Sequence, residues 1–285
     1  MKTMPWITLI LFATQLSAQS SIPAGTILPV QLNSSLNSRK LSTGQVITAR
    51  VMQDVPLPSG SKIRAGAKVI GHVTAVKLAN GAQVSLRFDT LVAGHHQIPV
   101  TTDLRALASM MAVEEAQIPA FGPDRGTSED AWTTEQIGGE VVYRGGGPVA
   151  NGLQFVGKPA PNGVLVQVSS KPGSECRGDI GGDDRMQALW VFSSDACGAY
   201  GFANVAITHA GRTNPRGEII LTADHGDLNV RGGSGMLLRV IGERNESVKA
   251  RLIRDLRFGG EDGMPRAVRC MQDRPWHGPD RGAKT

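Results

Sequence analysis

The chain reads as mainly β, of the sandwich or barrel kind, and three observations predict it. From residue 22 onward apolar and polar residues alternate, with turn residues roughly every eight to twelve positions. Asn80-Gly81 stands between two such alternating runs and is the dipeptide of a tight hairpin. The 285 residues include 35 Gly and 16 Pro, which weaken helix interiors and disfavour a helix bundle.

In order, Ile27, Leu28, Val30 and Leu32 form the first strand and Val46, Thr48 and Val51 another. Val69, Val73 and Val76 lead into the Asn80-Gly81 hairpin, and Val84, Leu86, Phe88 and Leu91 run back out. Residues 103–111 read as a short helix capped by Asp103, with Leu104, Leu107 and Met111 on one face. Residues 119–128 form a polar linker bearing Pro and Gly. Strand patterns resume at 137–143, 163–168, 188–192, 203–207, 218–222 and 236–241, with Gly-rich connections. From 243 the chain changes character: 244–257 is charged with scattered aliphatics and is a candidate helix, and the remainder, with Pro265, Pro275 and Pro279, reads as a disordered tail. The expected organisation is therefore a signal peptide over 1–18, a β domain over 21–101, a helix and linker over 102–135, a second Gly-rich β region over 136–242, and the tail over 243–285. Whether the two β regions share one barrel is left open.

A loose unit recurs at 22–28, 63–69 and 230–236: an apolar residue, turn residues, a glycine, a small residue, then a strand. Glycine supplies the positive-φ position of a tight turn, so the unit reads as turn chemistry and not as a ligand loop.

Lys2 precedes an apolar stretch at 6–13, and the small and polar run Leu16-Ser17-Ala18-Gln19-Ser20 follows. This is the pattern of a secretory signal peptide, with cleavage expected after Ala18 and Ser20 as the alternative. The apolar stretch is too short for the roughly 30 Å of bilayer hydrocarbon. A periplasmic or secreted location follows, with at most peripheral membrane contact. In an oxidising compartment Cys176, Cys197 and Cys270 favour one disulfide and one leftover thiol. Cys176 with Cys197 is the preferred pair, because turn-rich segments at both bracket a predicted strand. Closing that loop of about 20 residues would stabilise by roughly 3 kcal/mol. Three buried free thiols are the alternative.

Several elements of 22–100 carry a family likeness. They are Ala24-Gly25-Thr26 with Pro29-Val30-Gln31-Leu32, Ser38 and Gly44, Ala49-Arg50-Val51 with Asp54-Val55, and Ile63. Gly66-Ala67-Lys68-Val69-Ile70-Gly71, the run Val84-Ser85-Leu86-Arg87-Phe88-Asp89-Thr90-Leu91 and Ile98-Pro99-Val100 complete it. In order and spacing this stretch resembles the C-terminal β-barrel domain of the TrbI-like conjugation proteins, outer-membrane core components of type IV secretion systems. The resemblance implies a small N-terminal β-barrel. It has no counterpart from 130 onward, and a free-standing exported relative of the barrel is preferred to a secretion-channel subunit.

Composition narrows function. The excess of 30 Lys+Arg over 25 Asp+Glu gives +5 with scattered charges, and aromatics are 5%, so neither a nucleic-acid surface nor an aromatic sugar platform is indicated. Among six histidines, His95-His96 follows Gly94 on a loop, where adjacent side chains point apart and do not share a metal. His209 and His225 near Cys197 or Asp227 would suit a Cys-His nucleophile, but a disulfide at Cys197 removes the thiolate. Ser59-Gly60-Ser61-Lys62 matches S-x-x-K yet lies in a turn and not at a helix start. Asp179, Asp183 and Asp184 on a Gly-rich loop are candidate Ca²⁺ ligands, although a solvated acidic loop is the preferred reading. Arg212, Arg216, Arg231, Arg239 and Arg244 are a candidate basic face for anionic headgroups or polyanionic envelope polymer.

The expected function is an exported, non-catalytic cell-envelope binding or scaffold protein. It has no catalytic residues and no cofactor, and pairs with envelope proteins through exposed strand edges. The alternatives are an exported hydrolase of envelope polymer, sited at 178–184 and 195–209, and a component of a secretion or conjugation-like complex.

Overall fold

The Asn80-Gly81 hairpin forms as expected, with φ of 55° at Asn80 and 106° at Gly81, the paired positive values that a two-residue turn needs to match strand twist. It joins the two longest strands of a computed structural model that describes residues 21–118, 132–139, 141–144, 147–151, 154–161, 163–167, 186–210 and 215–241, with 132–135, 141–144 and Asn151 as backbone.

The first eight strands are β1 (Ile27–Leu32), β2 (Leu36–Asn37), β3 (Val46–Val51), β4 (Val55–Pro56), β5 (Lys62–Ile63), β6 (Lys68–Lys77), β7 (Ala82–Ala93) and β8 (His96–Pro99). Alternation sends Ile47, Ala49 and Val51 of β3, Val69 and Val73 of β6, and Val84, Leu86 and Phe88 of β7 to one buried face. Fully burying each of the larger side chains contributes roughly 1.5–3 kcal/mol.

That face alone would leave β1 and β7 as open edges, and later segments cover both. β9 (Thr102–Ala108) precedes helix α1 (Met110–Gln117). β10 (Trp132–Glu135), β11 (Val141–Arg144), β12 (Val149–Asn151), β13 (Gln154–Ala160), β14 (Gly163–Gln167) and β15 (Met186–Ala188) form a separate antiparallel sheet in chain order. β16 (Gly198–Tyr200), β17 (Val205–Ile207), β18 (Ile219–Ala223), β19 (Asn229–Val230) and β20 (Gly235–Val240) follow. β20 pairs antiparallel with β1, and β18 with β7. The main sheet runs β16-β9-β20-β1-β3-β6-β7-β18-β17, with β8 also on β7. Strands β16, β17, β18 and β20 of the second stretch thus share one sheet with the N-terminal strands, while β11–β15 stay in the other.

Two expectations are corrected. The barrel over 21–101 is not closed: the sheet curls around one core, but its end strands β16 and β17 approach without pairing. The helix expected over 103–111 is strand β9 as far as Ala108, and α1 begins only at Met110. A bulge explains the misreading, because the register with β20 shifts between Leu237 and Leu238, leaving Leu237 opposite Ala106 and Leu238 opposite Leu104. The extra residue puts Leu104 and Leu107 in the same core despite their spacing of three, which in a regular strand would separate them. Ser109, not Asp103, caps α1, its hydroxyl accepting from the Ala112 amide at 3.2 Å. Ser109→Ala is expected to cost about 1 kcal/mol, read as a lower urea midpoint at unchanged slope. An unchanged midpoint would show that the cap contributes nothing.

β1, β20 and β9 are buried on both faces. Their outer face, with Ile27, Ala106, Ala108 and Leu237, meets a second core of Val113 from α1, Val149 and Val164 from the six-stranded sheet, and Leu189, Trp190, Val191 and Phe192. The strand expected over 188–192 is therefore mostly a buried turn, with only Met186–Ala188 paired as β15.

Candidate functional site

A recess lies where the short pair β2 and β19 meets the turn after β2. Leu36 and Val230 are cross-strand partners that point into the core, which leaves their neighbours Asn37 and Asn229 opposite each other on the outer side. The Lys40 and Leu41 amides both donate to the Asn37 carbonyl, at 2.9 and 3.0 Å, closing a turn that buries Ser38 and Leu41 and leaves Lys40 exposed. On the far wall, Gly233 holds φ at 88° and donates to the Leu32 carbonyl at 2.9 Å. This conformation suits glycine and places Arg231 and Gly232 at the rim. The recess holds about 560 Å³, and Ser35, Asn37, Lys40, Gln45, Asn229 and Arg231 supply its polar lining, with Leu41 and Met110 as its apolar side.

Its hydrogen bonding is one-sided. Asn37 Oδ1 accepts from the Arg39 amide at 3.0 Å, Gln45 Oε1 from the Ser42 amide at 3.1 Å and Ser35 Oγ from the Gly232 amide at 3.0 Å. The side chains of Lys40 and Arg231 make no hydrogen bond or ion pair with any described residue. Arg39 points elsewhere, to Asp227 at 2.7 Å.

A second cluster is buried under the outer face of β9 and β20. Arg239 stands opposite Asp103 across the strands and reaches Asp103 Oδ2 at 3.3 Å, each with about 1–3% of its side chain exposed. Burial pushes the Asp103 carboxyl above its ordinary range, and the Arg239 charge opposes that rise. Arg105 donates to the Ala196 and Ser194 carbonyls at 2.9 and 2.8 Å, and burial first, then Arg239, lowers its pKa to about 10. These groups tie the main sheet to the segment above it.

The residues singled out from sequence are dispersed. Asp179, Asp183, Asp184 and Cys176 lie outside the described residues, as do residues 1–18, the 119–128 linker and the tail. Cys197 is disulfide-bonded. No group of three His, Cys, Asp or Glu side chains among the described residues is placed to hold a metal. His95 and His96 are exposed at the turn between β7 and β8. His72 Nδ1 lies 2.8 Å from Asp89 Oδ2 on the neighbouring strand. Lys62 of the S-x-x-K match reaches Asp54 Oδ2 at 2.5 Å, while Ser59 and Ser61 bond each other at 2.7 Å. The Lys62 ammonium, followed by the Ala65 amide, holds the Asp54 carboxyl below its ordinary range.

The basic face is corrected in the same way. Arg239 is buried and Arg216 half-buried, Arg212 and Arg244 fall outside the described residues, and Arg231 alone of the five is exposed among the described residues. A strand that is covered on both faces turns its charges inward, which no alternation pattern announces. Sequence reading missed Ser35, Asn37, Lys40, Gln45 and Asn229. The one available signal was the turn unit at 230–236, which carries Arg231 to the rim. Among the described residues no helix is long and apolar enough to cross a membrane. No family model matches the chain, and no curated protein matches it.

Proposed function

We propose that the chain is an exported, non-catalytic binding or scaffold protein of the cell envelope, and that the recess between β2, β19 and the 38–45 turn is its binding surface. One observation carries this reading: the recess is walled by short paired strands and hydrogen-bonded turns, and its polar lining consists of amides, a hydroxyl and two cations with free donors. Such a wall holds a ligand in place. A volume of about 560 Å³ is in the range of small-molecule sites, roughly 300–1,000 Å³. Envelope proteins would add to β8, whose outer edge pairs with no described strand. Within this reading the signal peptide delivers the chain to an oxidising compartment, and Cys176 is the partner of Cys197.

The test is the intact mass and non-reducing peptide map of the protein exported by a bacterial host. The expected result is an N-terminus at Gln19, or at Ser21, with Cys176 joined to Cys197. A retained Met1 with free thiols would overturn the compartment and with it the envelope role.

A further inference from the structure

We infer that the recess of Lys40 and Arg231 takes a terminal phosphate group; this rests on the binding reading above and names its ligand chemistry. The inference comes from donor and acceptor accounting. Ser35, Asn37 and Gln45 each carry both a donor and an acceptor, and in each the acceptor oxygen already takes a backbone amide of this chain on one of its two lone pairs. What these lining residues leave unpartnered is the Ser35 hydroxyl hydrogen, the Asn37 Nδ2 and the Gln45 Nε2, none of which has an acceptor among the described residues. Asn229 adds an amide that can donate as well.

Charge points the same way. Lys40 and Arg231 are the two charged groups of the lining, both cationic, and no carboxylate lines the recess among the described residues. Asp227 sits nearby in sequence but is held by Arg39 at 2.7 Å. Two cations match the roughly −1.5 to −2 charge that a phosphomonoester carries at neutral pH, and its three oxygens match a site that offers donors and few acceptors. A neutral sugar needs acceptors for its hydroxyl hydrogens, and three of the side-chain oxygens here already take a backbone amide. Arg231 supplies a planar fork and Lys40 a point charge from the opposite wall. Leu41 and Met110 give the body of the ligand an apolar side to rest on.

Phosphomonoesters occur on soluble or polymeric sugars and on lipid headgroups, and the experiment separates these sources. The full exported chain, labelled with ¹⁵N, is titrated with inorganic phosphate at constant ionic strength. The expected result is saturable shifts of the Asn37 and Gln45 side-chain amides and the Gly232 backbone amide, absent when chloride replaces phosphate. Removing both cations in a Lys40→Gln, Arg231→Gln variant is expected to weaken binding roughly a hundredfold, about tenfold for each charge-assisted contact. Both positions are exposed, and an unchanged Tm verifies folding. Glucose 6-phosphate and vesicles containing phosphatidic acid then assign the source, by whichever is bound through the same residues. No saturable shift in the unmodified protein, or equal phosphate binding by the double variant, would overturn the inference. Because the titration does not depend on where the chain is delivered, phosphate binding with a retained Met1 would remove the envelope role alone. A processed chain that ignores phosphate would remove the inference alone.

Discussion

Gln53→Ala is expected to lower global stability by about 4 kcal/mol. Gln53 has no exposed surface. Its Nε2 donates to the Val164 carbonyl at 2.8 Å, and its Oε1 accepts from the Trp190 amide at 2.7 Å. One side chain, following β3, thus satisfies backbone groups of β14 and of the buried turn that closes the second core. Each buried group left without a partner costs roughly 1–3 kcal/mol, and the cavity adds to that. The fit also explains Gly163, where a Cβ would stand 2.5 Å from Gln53 Oε1 and 2.7 Å from the Trp190 Cα. Trp190 itself has φ of 51°, a strained value for a bulky residue that the surrounding bonds must hold. Urea unfolding measures the loss, and amide exchange at Trp190 reports its location. A change below about 1 kcal/mol, or undiminished protection at Trp190, would show that the clamp is dispensable.

Arg239→Met is expected to cost about 3 kcal/mol near neutral pH. The substitution nearly conserves volume, so the effect is electrostatic: the Asp103 carboxylate keeps its burial and loses the cation 3.3 Å away. Breaking a buried pair from one side costs roughly 3–5 kcal/mol. The low end applies here, because Arg239 also depresses the pKa of Arg105, and its removal relieves that repulsion. The pH dependence follows from the Asp103 carboxyl. Burial already raises its pKa in the folded chain, so its contribution is most favourable below the unfolded value near 3.8 and is lost as pH rises through the folded value. Without Arg239 the folded pKa climbs further, so the deficit of the variant should widen from acid to neutral pH. Adding Asp103→Leu should restore most of the loss in a double-mutant cycle. A deficit independent of pH, or no recovery in the double variant, would place the effect in packing.

Much of the N-terminal half was legible in sequence. Alternation in 46–51 and 84–91, with glycine and asparagine at the turns, has one reading, because these strands turn mainly one face to the core. β9 was not legible. Its residues are buried on both faces and carry a bulge, so Leu104, Leu107 and the capping-like Asp103 reproduced the spacing of a helix. The recess was illegible for a different reason: Asn37 and Asn229 are adjacent in space but far apart along the chain.

The sequence by itself determined that this protein is mainly β, that the 82–93 strand returns along 68–77, and that turns fall at its glycines. These are local consequences of side-chain period and backbone freedom. Only the tertiary structure decided that 219–223 and 235–240 complete the N-terminal sheet, that the curled sheet stays open between β16 and β17, that Arg239 turns inward to Asp103, and that Lys40 and Arg231 share one recess. Strand pairing is chosen by which edges remain to be covered once the whole chain has folded, and a local pattern records that an edge exists without recording its partner.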